Sequence, residues 1–172
     1  MVVQWLRESR VAAGAMLLLR IWLGYTWLVS GWEKITGGFQ SAGFLKGAVA
    51  KATGEHPAVQ GWWASFIKSV ALPNSGLFDF LIPWGEFLVG VALLLGLFTT
   101  FAGLMGIIMN FAFLFSGTTS INPQMVLFTT FILVAGRNAG HYGLDTYVLP
   151  LLDRWMGREQ QLASYKDRID KF

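Results

Sequence analysis

Four long apolar stretches constrain this chain more than any other feature. A hydrocarbon core of about 30 Å takes roughly 20 helical residues. Residues 11–32 form such a run with one charge, Arg20. Residues 77–97 form a second, with Asp79 near its start and Glu86 in its middle. Residues 99–116 carry no charge, and residues 123–139 carry only Arg137, near the end. The composition agrees. Of 172 residues, 54% are hydrophobic and 13% charged, about half the charged fraction of a soluble domain. Too few polar groups remain to cover a water-facing surface. The expectation is an all-α, polytopic membrane protein: one domain over residues 1–172, built as a four-transmembrane-helix bundle in a lipid bilayer. The first run is long enough to span and lacks a small-x-small cleavage site, so it reads as a span rather than a cleavable signal peptide. Spans three and four are short, which suits an upright pose or a locally thin bilayer.

The links differ in kind. Phe98-Thr99-Thr100 is a tight turn, so spans two and three should form an antiparallel hairpin. Residues 117–123 make a short polar turn. Residues 33–76 form a long outer loop with room for a short helix over residues 44–53. A second amphipathic segment, residues 58–72, holds Trp62, Trp63, Phe66 and Ile67 beside Lys68. It reads as an interfacial helix at headgroup depth, or as a loop helix packed on the bundle. Positive charge orients the whole. Arg7, Arg10, Arg137, Arg154, Arg158, Lys166, Arg168 and Lys171 fall on one side, and Lys34, Lys46, Lys51 and Lys68 on the other. That bias predicts a multi-pass cell-membrane protein with both termini cytoplasmic. The tail, residues 146–172, reads as a cytoplasmic amphipathic C-terminal helix, with Leu162, Tyr165 and Ile169 at helical spacing.

The interior carries polar groups. Arg20, Gly24, Trp27, Gly31 and Lys34 recur at steps of three and four, one face of a helix. Pro83, Glu86 and Gly90 mark a face of span two, and Gly103, Gly106, Asn110 and Gly117 a face of span three. Small residues let helix backbones approach, and polar ones face inward to avoid lipid. Counted from the cytoplasmic ends of their spans at about 1.5 Å per residue, Arg20, Glu86 and Asn110 each lie roughly 14–17 Å deep. A guanidinium can meet a carboxylate bidentately and keep donors for an amide. The expectation is an Arg20–Glu86 ion pair with Asn110 adjacent. It serves either to fix helix register or as a membrane-embedded site for an anion, a proton or a quinone head group.

A second cluster follows span four: Gly136-Arg137-Asn138-Ala139-Gly140-His141-Tyr142-Gly143-Leu144-Asp145. Its glycines should break the helix. His141 could relay protons near neutral pH. Asp145 reads as a cap for the segment that follows it, and Arg137 as a contact for lipid phosphates. Glu33 and Lys34 form a third cluster at the outer end of span one, readable as an interfacial pair. Several chemistries are excluded. There is no cysteine, hence no disulfide, thiolate metal site or iron–sulfur cluster. Only His56 and His141 occur, toward opposite sides, so neither a haem held by two facing histidines nor a metal site is expected. The net charge of +3 is a topology signal rather than a nucleic-acid footprint, and no nucleic-acid partner is expected.

Three of these motifs together resemble the DoxX/DoxD membrane proteins. They are Arg20-Ile21-Trp22-Leu23-Gly24 with Gly31-Trp32-Glu33-Lys34, the run from Pro83-Trp84-Gly85-Glu86 to Gly96-Leu97-Phe98-Thr99, and Ala135-Gly136-Arg137 with His141-Tyr142-Gly143-Leu144-Asp145. The resemblance spans about residues 17–150 and implies a four-helix membrane protein. In the DoxD branch it implies the large subunit of a thiosulfate:quinone oxidoreductase, with a small second subunit. With that activity, Glu86 and His141 would carry protons to a quinone. Arg20 and Lys34 would stabilise an anionic substrate or a quinone oxyanion. Glu33, Asn110, Arg137 and Asp145 complete the substrate-binding candidates. Trp27 and Trp84, with Trp22 and Phe111, would clamp the ring, although such aromatics are also ordinary membrane packing. The alternative is a non-enzymatic scaffold for a redox partner, or a small anion carrier. The sequence leaves the oligomeric state open, a homo-oligomer included.

Overall fold

The computed structural model describes residues 1–157; the predicted amphipathic tail beyond them lies outside the described residues. Helices account for the fold, and no strand occurs among the described residues. A short α1 (Val2–Glu8) turns at Ser9 into the long α2 (Arg10–Thr36). Ser9 starts α2 by accepting from the Ala12 amide at 3.5 Å, an N-cap that satisfies an otherwise orphaned donor. The side chain of Asn138 holds this elbow, donating to the carbonyls of Leu6 at 2.8 Å and Ser9 at 3.0 Å.

The long loop holds α3 (Ser41–Ala50) and α4 (Gly61–Phe66), which runs on into a π-helical turn, Ile67–Ala71. Then come α5 (Ser75–Leu95), α6 (Thr99–Phe115), α7 (Asn122–Ala135) with a 3₁₀ turn Gly136–Gly140, and α8 (Asp145–Trp155). The helix packs against its neighbours in the order α2–α5–α6–α7–α2, a closed ring of four. α1, the 3₁₀ turn and α8 gather at one end, hereafter the terminal end. α3 and α4 cover the other, the loop end. There Lys51 Nζ donates to the Gly117 carbonyl at 2.9 Å, and the Ser41 amide donates to Asp79 at 2.6 Å.

α2 and α5 are both long and apolar enough to cross a membrane; α6 is a shorter apolar helix. The small-residue faces explain how tightly α2 and α5 pack. A Cβ added to Gly31 would come within 2.8 Å of both the Pro83 carbonyl oxygen and the Phe87 Cα, and one on Gly24 within 2.9 Å of the Leu94 amide. Only glycine admits backbones this close. The outer faces remain apolar: Leu18, Leu88, Phe101, Leu104, Ile108 and Leu127 are exposed. A band of that extent is foreign to monomers that live in water.

The loop segment read as interfacial forms α4 and its π turn. Its inner face packs on the bundle: Trp63 Nε1 donates to Ser116 Oγ at 2.9 Å, and Ala64, Ile67 and Ala71 are buried. Trp62, Phe66 and Lys68 face outward.

Candidate functional site

The expected Arg20–Glu86 pair does not form. The four helix ends are not flush. α2 begins well beyond the α5–α6 turn, and its first turns pack on α1, α7 and the 3₁₀ turn. Arg20 therefore lies level with that turn: a Cβ on Gly143 would come within 2.6 Å of Arg20 Nη1, and one on Gly96 would overlap the same guanidinium. Glu86 lies ten residues before Gly96 on the same helix, about 15 Å away along the axis. The polar groups thus divide into two sites.

At the terminal end Arg20, 1% exposed, is a structural tie. Nη1 donates to the Ala139 carbonyl at 3.2 Å and Nη2 to the Tyr142 carbonyl at 2.7 Å. These carbonyls sit where the glycine-rich segment has left α-helical geometry, and the guanidinium fork satisfies them. Asp145 faces the same charge through space. It is the first residue of α8, but its carboxylate caps a different helix. Oδ1 accepts from the Phe98 amide at 2.6 Å and Oδ2 from the Thr99 amide at 2.9 Å, at the start of α6. The expected local cap is a long-range one, because Phe98 at φ 48° leaves the first α6 amides turned toward α8.

Arg137 meets Asp153 rather than lipid phosphate, with Nη1–Oδ2 at 2.6 Å and Nη2–Oδ1 at 2.9 Å. His141 stands beside Tyr142, ring centroids 4.8 Å apart. Burial pushes its imidazole below the ordinary value, and the charge of Arg10 adds to that. Arg20, Arg137, His141 and Asp145 therefore close the terminal end of the bundle, away from Glu86.

At the loop end the partner of Glu86 is Lys34. Nζ lies 2.6 Å from Oε2, which also accepts from Ser30 Oγ at 2.9 Å, while Lys34 reaches Ser30 Oγ at 2.6 Å. Lys34 and Ser30 are one turn apart on α2, so the lysine stem folds back along its own helix to bring its ammonium inward. It does not pair with Glu33, which is exposed and lines no part of the site. Glu86 is 1% exposed, and its second oxygen, Oε1, is buried with no hydrogen-bond partner among the described residues.

These three side chains border a cavity of about 280 Å³. Its aromatic walls are Trp27, Phe39, Phe44 and Phe113, and Thr26, Thr118 and Asn122 add polar groups. Lys34 Nζ stands 6.0 Å from the ring centroids of both Phe39 and Phe113, the outer reach of a cation–π contact.

Asn110 is wholly buried, with both amide atoms unpartnered among the described residues. Gly106, one turn before it, packs on Trp27 and Val89. Because α5 and α6 are antiparallel, one turn onward from that level brings Asn110 and Glu86 to similar depth. Trp27 joins the site. Trp84, expected as a ring clamp, is 40% exposed among Phe80 and Phe87 on the outer face. Trp22 and Phe111 are exposed too.

The sequence reading missed Ser30, Phe44 and Phe113. Ser30 carried a usable signal, since it sits one turn before Lys34 on the same helix. The two phenylalanines carried none, as they meet only through the tertiary fold. No group of His, Asp and Glu able to hold a metal occurs among the described residues.

An arrangement of a buried carboxylate, an ammonium and a hydroxyl beside aromatic walls can hold a polar ring and exchange a proton with it. The DoxX family model matches residues 15–119, from α2 through the turn after α6, and so includes Lys34, Glu86 and most of the cavity. The closing segment around Arg137 and Asp145 lies beyond the match. No curated protein and no solved structure matches the chain. The match covers well over half of the sequence, and the chain belongs to the DoxX family of membrane proteins.

Proposed function

We propose that the chain is a four-span membrane protein whose Lys34–Glu86 cavity takes the head group of a quinone. It would serve as the membrane subunit of a quinone-linked oxidoreductase that draws electrons from a small sulfur compound such as thiosulfate. Lengths support four spans. α7 with its 3₁₀ turn runs about 31 Å at 1.5 and 2.0 Å per residue, and α6 about 25 Å, against a core of about 30 Å. Both termini would be cytoplasmic, since Arg7, Arg10, Arg137 and Arg154 gather at the terminal end.

The observation that carries the reading is Glu86: a carboxylate that borders an aromatic-lined cavity, with one oxygen, Oε1, fully withdrawn from solvent and unpartnered among the described residues. Such a group favours function over structure. The overall reaction moves two electrons from two thiosulfate ions, which join as tetrathionate, to one quinone, with two protons taken up. Glu86 would take up one of those protons from the medium as the ring is reduced and pass it to a ring oxygen, with Ser30 holding the other carboxylate oxygen in place. Lys34 would offset negative charge developing on the ring. Trp27 and Phe113 would position the ring. Arg20 and His141, about 15 Å or more along the axis, have no direct part. The thiosulfate step would need the small second subunit that the family resemblance implies.

The test is quinone reduction by thiosulfate in membranes holding the chain, with and without its partner subunit. Native protein should turn over and retain quinone through purification. Glu86→Gln should abolish turnover while leaving the fold intact; undiminished turnover in that variant refutes the role. The hydroxyl-rich rim at Thr118 and Ser120 near Lys34 favours a second reading, a small anion carrier. Thiosulfate uptake into vesicles without any redox change would decide for it.

A further inference from the structure

A second cavity, of about 220 Å³, lies between α3, the α4–π turn, α5 and α6. Its lining is almost wholly apolar and includes Ile67, Ala71, Ile82, Met109 and Ala112. Phe44 and Phe113 line this cavity and the Lys34–Glu86 cavity alike. Their rings meet edge to face at 5.8 Å and 83°, so this one pair forms the wall the two cavities share. The outer rim is made by Leu81, Ile108 and Phe66, all exposed on the apolar outside of the bundle. One side of the apolar cavity thus meets a polar, charged chamber, and the other meets the lipid-facing surface.

The backbone over this cavity is unusual. Ile67–Ala71 is π-helical, with the Leu72 amide donating to the Ile67 carbonyl at 2.8 Å. The extra residue in the turn widens the helix, and such turns concentrate at functional sites. Here both ends of the turn, Ile67 and Ala71, point into the cavity lining. Each chamber alone is smaller than the roughly 300–1,000 Å³ of a typical ligand pocket, and the two joined fall inside that range.

We infer that the apolar cavity beneath the π turn seats the hydrocarbon tail of the same ligand whose polar head lies at Lys34 and Glu86. The ligand is therefore an amphiphile that enters sideways from the bilayer, and the Phe44–Phe113 pair is the gate between tail and head. This rests on the head-group reading above and adds the substrate class: a ring with a lipid-soluble chain, not a water-soluble redox carrier. Swinging the Phe113 ring joins the chambers. Discrimination comes from fit, because a tail leaving lipid gains close packing rather than escape from water.

The test uses the full chain in lipid nanodiscs and two probes: a tail-less benzoquinone and the same ring bearing a decyl chain. Binding is read from tryptophan fluorescence quenching, with ligand expressed per lipid to remove partitioning. Ala112→Phe fills the cavity from α6, and Ile82→Phe fills it independently from α5 should the first variant fold poorly. Either should weaken the decyl probe by about tenfold and leave the tail-less probe within about twofold of native. If both probes bind the filled variants as they bind native protein, the tail site is wrong and the head-group site stands. If neither probe binds native protein, the head-group reading falls and the tail site with it.

Discussion

Removing the ammonium of Lys34 should cost far more than its partial exposure suggests, and removing its partner as well should restore most of the loss. Lys34→Met keeps the length of the side chain but leaves the Glu86 carboxylate, 1% exposed, with Ser30 as its only hydrogen-bond partner among the described residues. Breaking one side of a buried ion pair typically costs about 3–5 kcal/mol, because the surviving charge stays buried without compensation. Lys34 itself is 24% exposed, so water reaches and screens the site and the cost falls below that range, to about 2–3 kcal/mol. The Ser30 hydroxyl, bonded to a charged oxygen, accounts for about 1.5 kcal/mol of what remains. In Lys34→Met/Glu86→Gln no charge is left, and the double variant should lie within about 1 kcal/mol of native protein. A double-mutant cycle on reversible unfolding in mixed micelles measures the coupling directly. The expected value is about 2 kcal/mol or more. Coupling below about 0.5 kcal/mol, within ordinary additivity, would show that the two groups do not depend on each other and refute the reasoning.

Other expectations concern the terminal end. Arg20→Met should lower stability by about 2–4 kcal/mol, since it strips the Ala139 and Tyr142 carbonyls of their donors and removes the positive charge that faces Asp145. Quinone binding by the folded fraction should be unchanged, and a stable variant that has lost turnover would restore Arg20 as a substrate ligand. Asp145→Asn should cost about 1.5–3 kcal/mol, the worth of hydrogen bonds to a charged group, seen as earlier thermal unfolding. Native-like unfolding would show that the α6 cap contributes nothing. His141 sits below its ordinary value when folded and near 6.5 when unfolded. Just below pH 6.5 the unfolded chain therefore holds more protons, so stability rises with pH through that window and levels off above it. His141→Gln should flatten this acid limb in unfolding midpoints between pH 5 and 8, and an unaltered slope would contradict it.

Much of the bundle was legible in the sequence. Helical periodicity alone marks Arg20, Gly24, Trp27 and Gly31 as one buried face, and all four are buried. Gly90 likewise marks where backbones approach, and Gly106 makes room for the Trp27 indole. The pairing of charges was not legible, for a geometric reason. Counting depth from the ends of apolar runs assumes that the helices start level, and α2 overshoots the α5–α6 turn by several residues' rise. That offset moves Arg20 away from Glu86 and hands Glu86 to Lys34, whose flexible stem reaches back a full turn. Asp145 was recognisable as a cap, but local sequence cannot say that the amides it serves lie more than forty residues upstream. The cavity wall was the least legible part. Phe44 and Phe113 come from different elements, and nothing in either stretch distinguishes them from ordinary membrane phenylalanines.

The central claim is that a quinone head group sits against Lys34 and Glu86, and photolabelling with an azido-quinone tests it most directly. The label is activated on the full chain in native membranes, and the modified peptide is mapped by mass spectrometry. The account predicts label on the walls of the loop-end cavity, on residues near Trp27, Glu86 and Phe113, displaced by excess unlabelled quinone and lost in Glu86→Gln. Displaceable label concentrated instead at the terminal end, around Arg20, His141 and Tyr142, would contradict it.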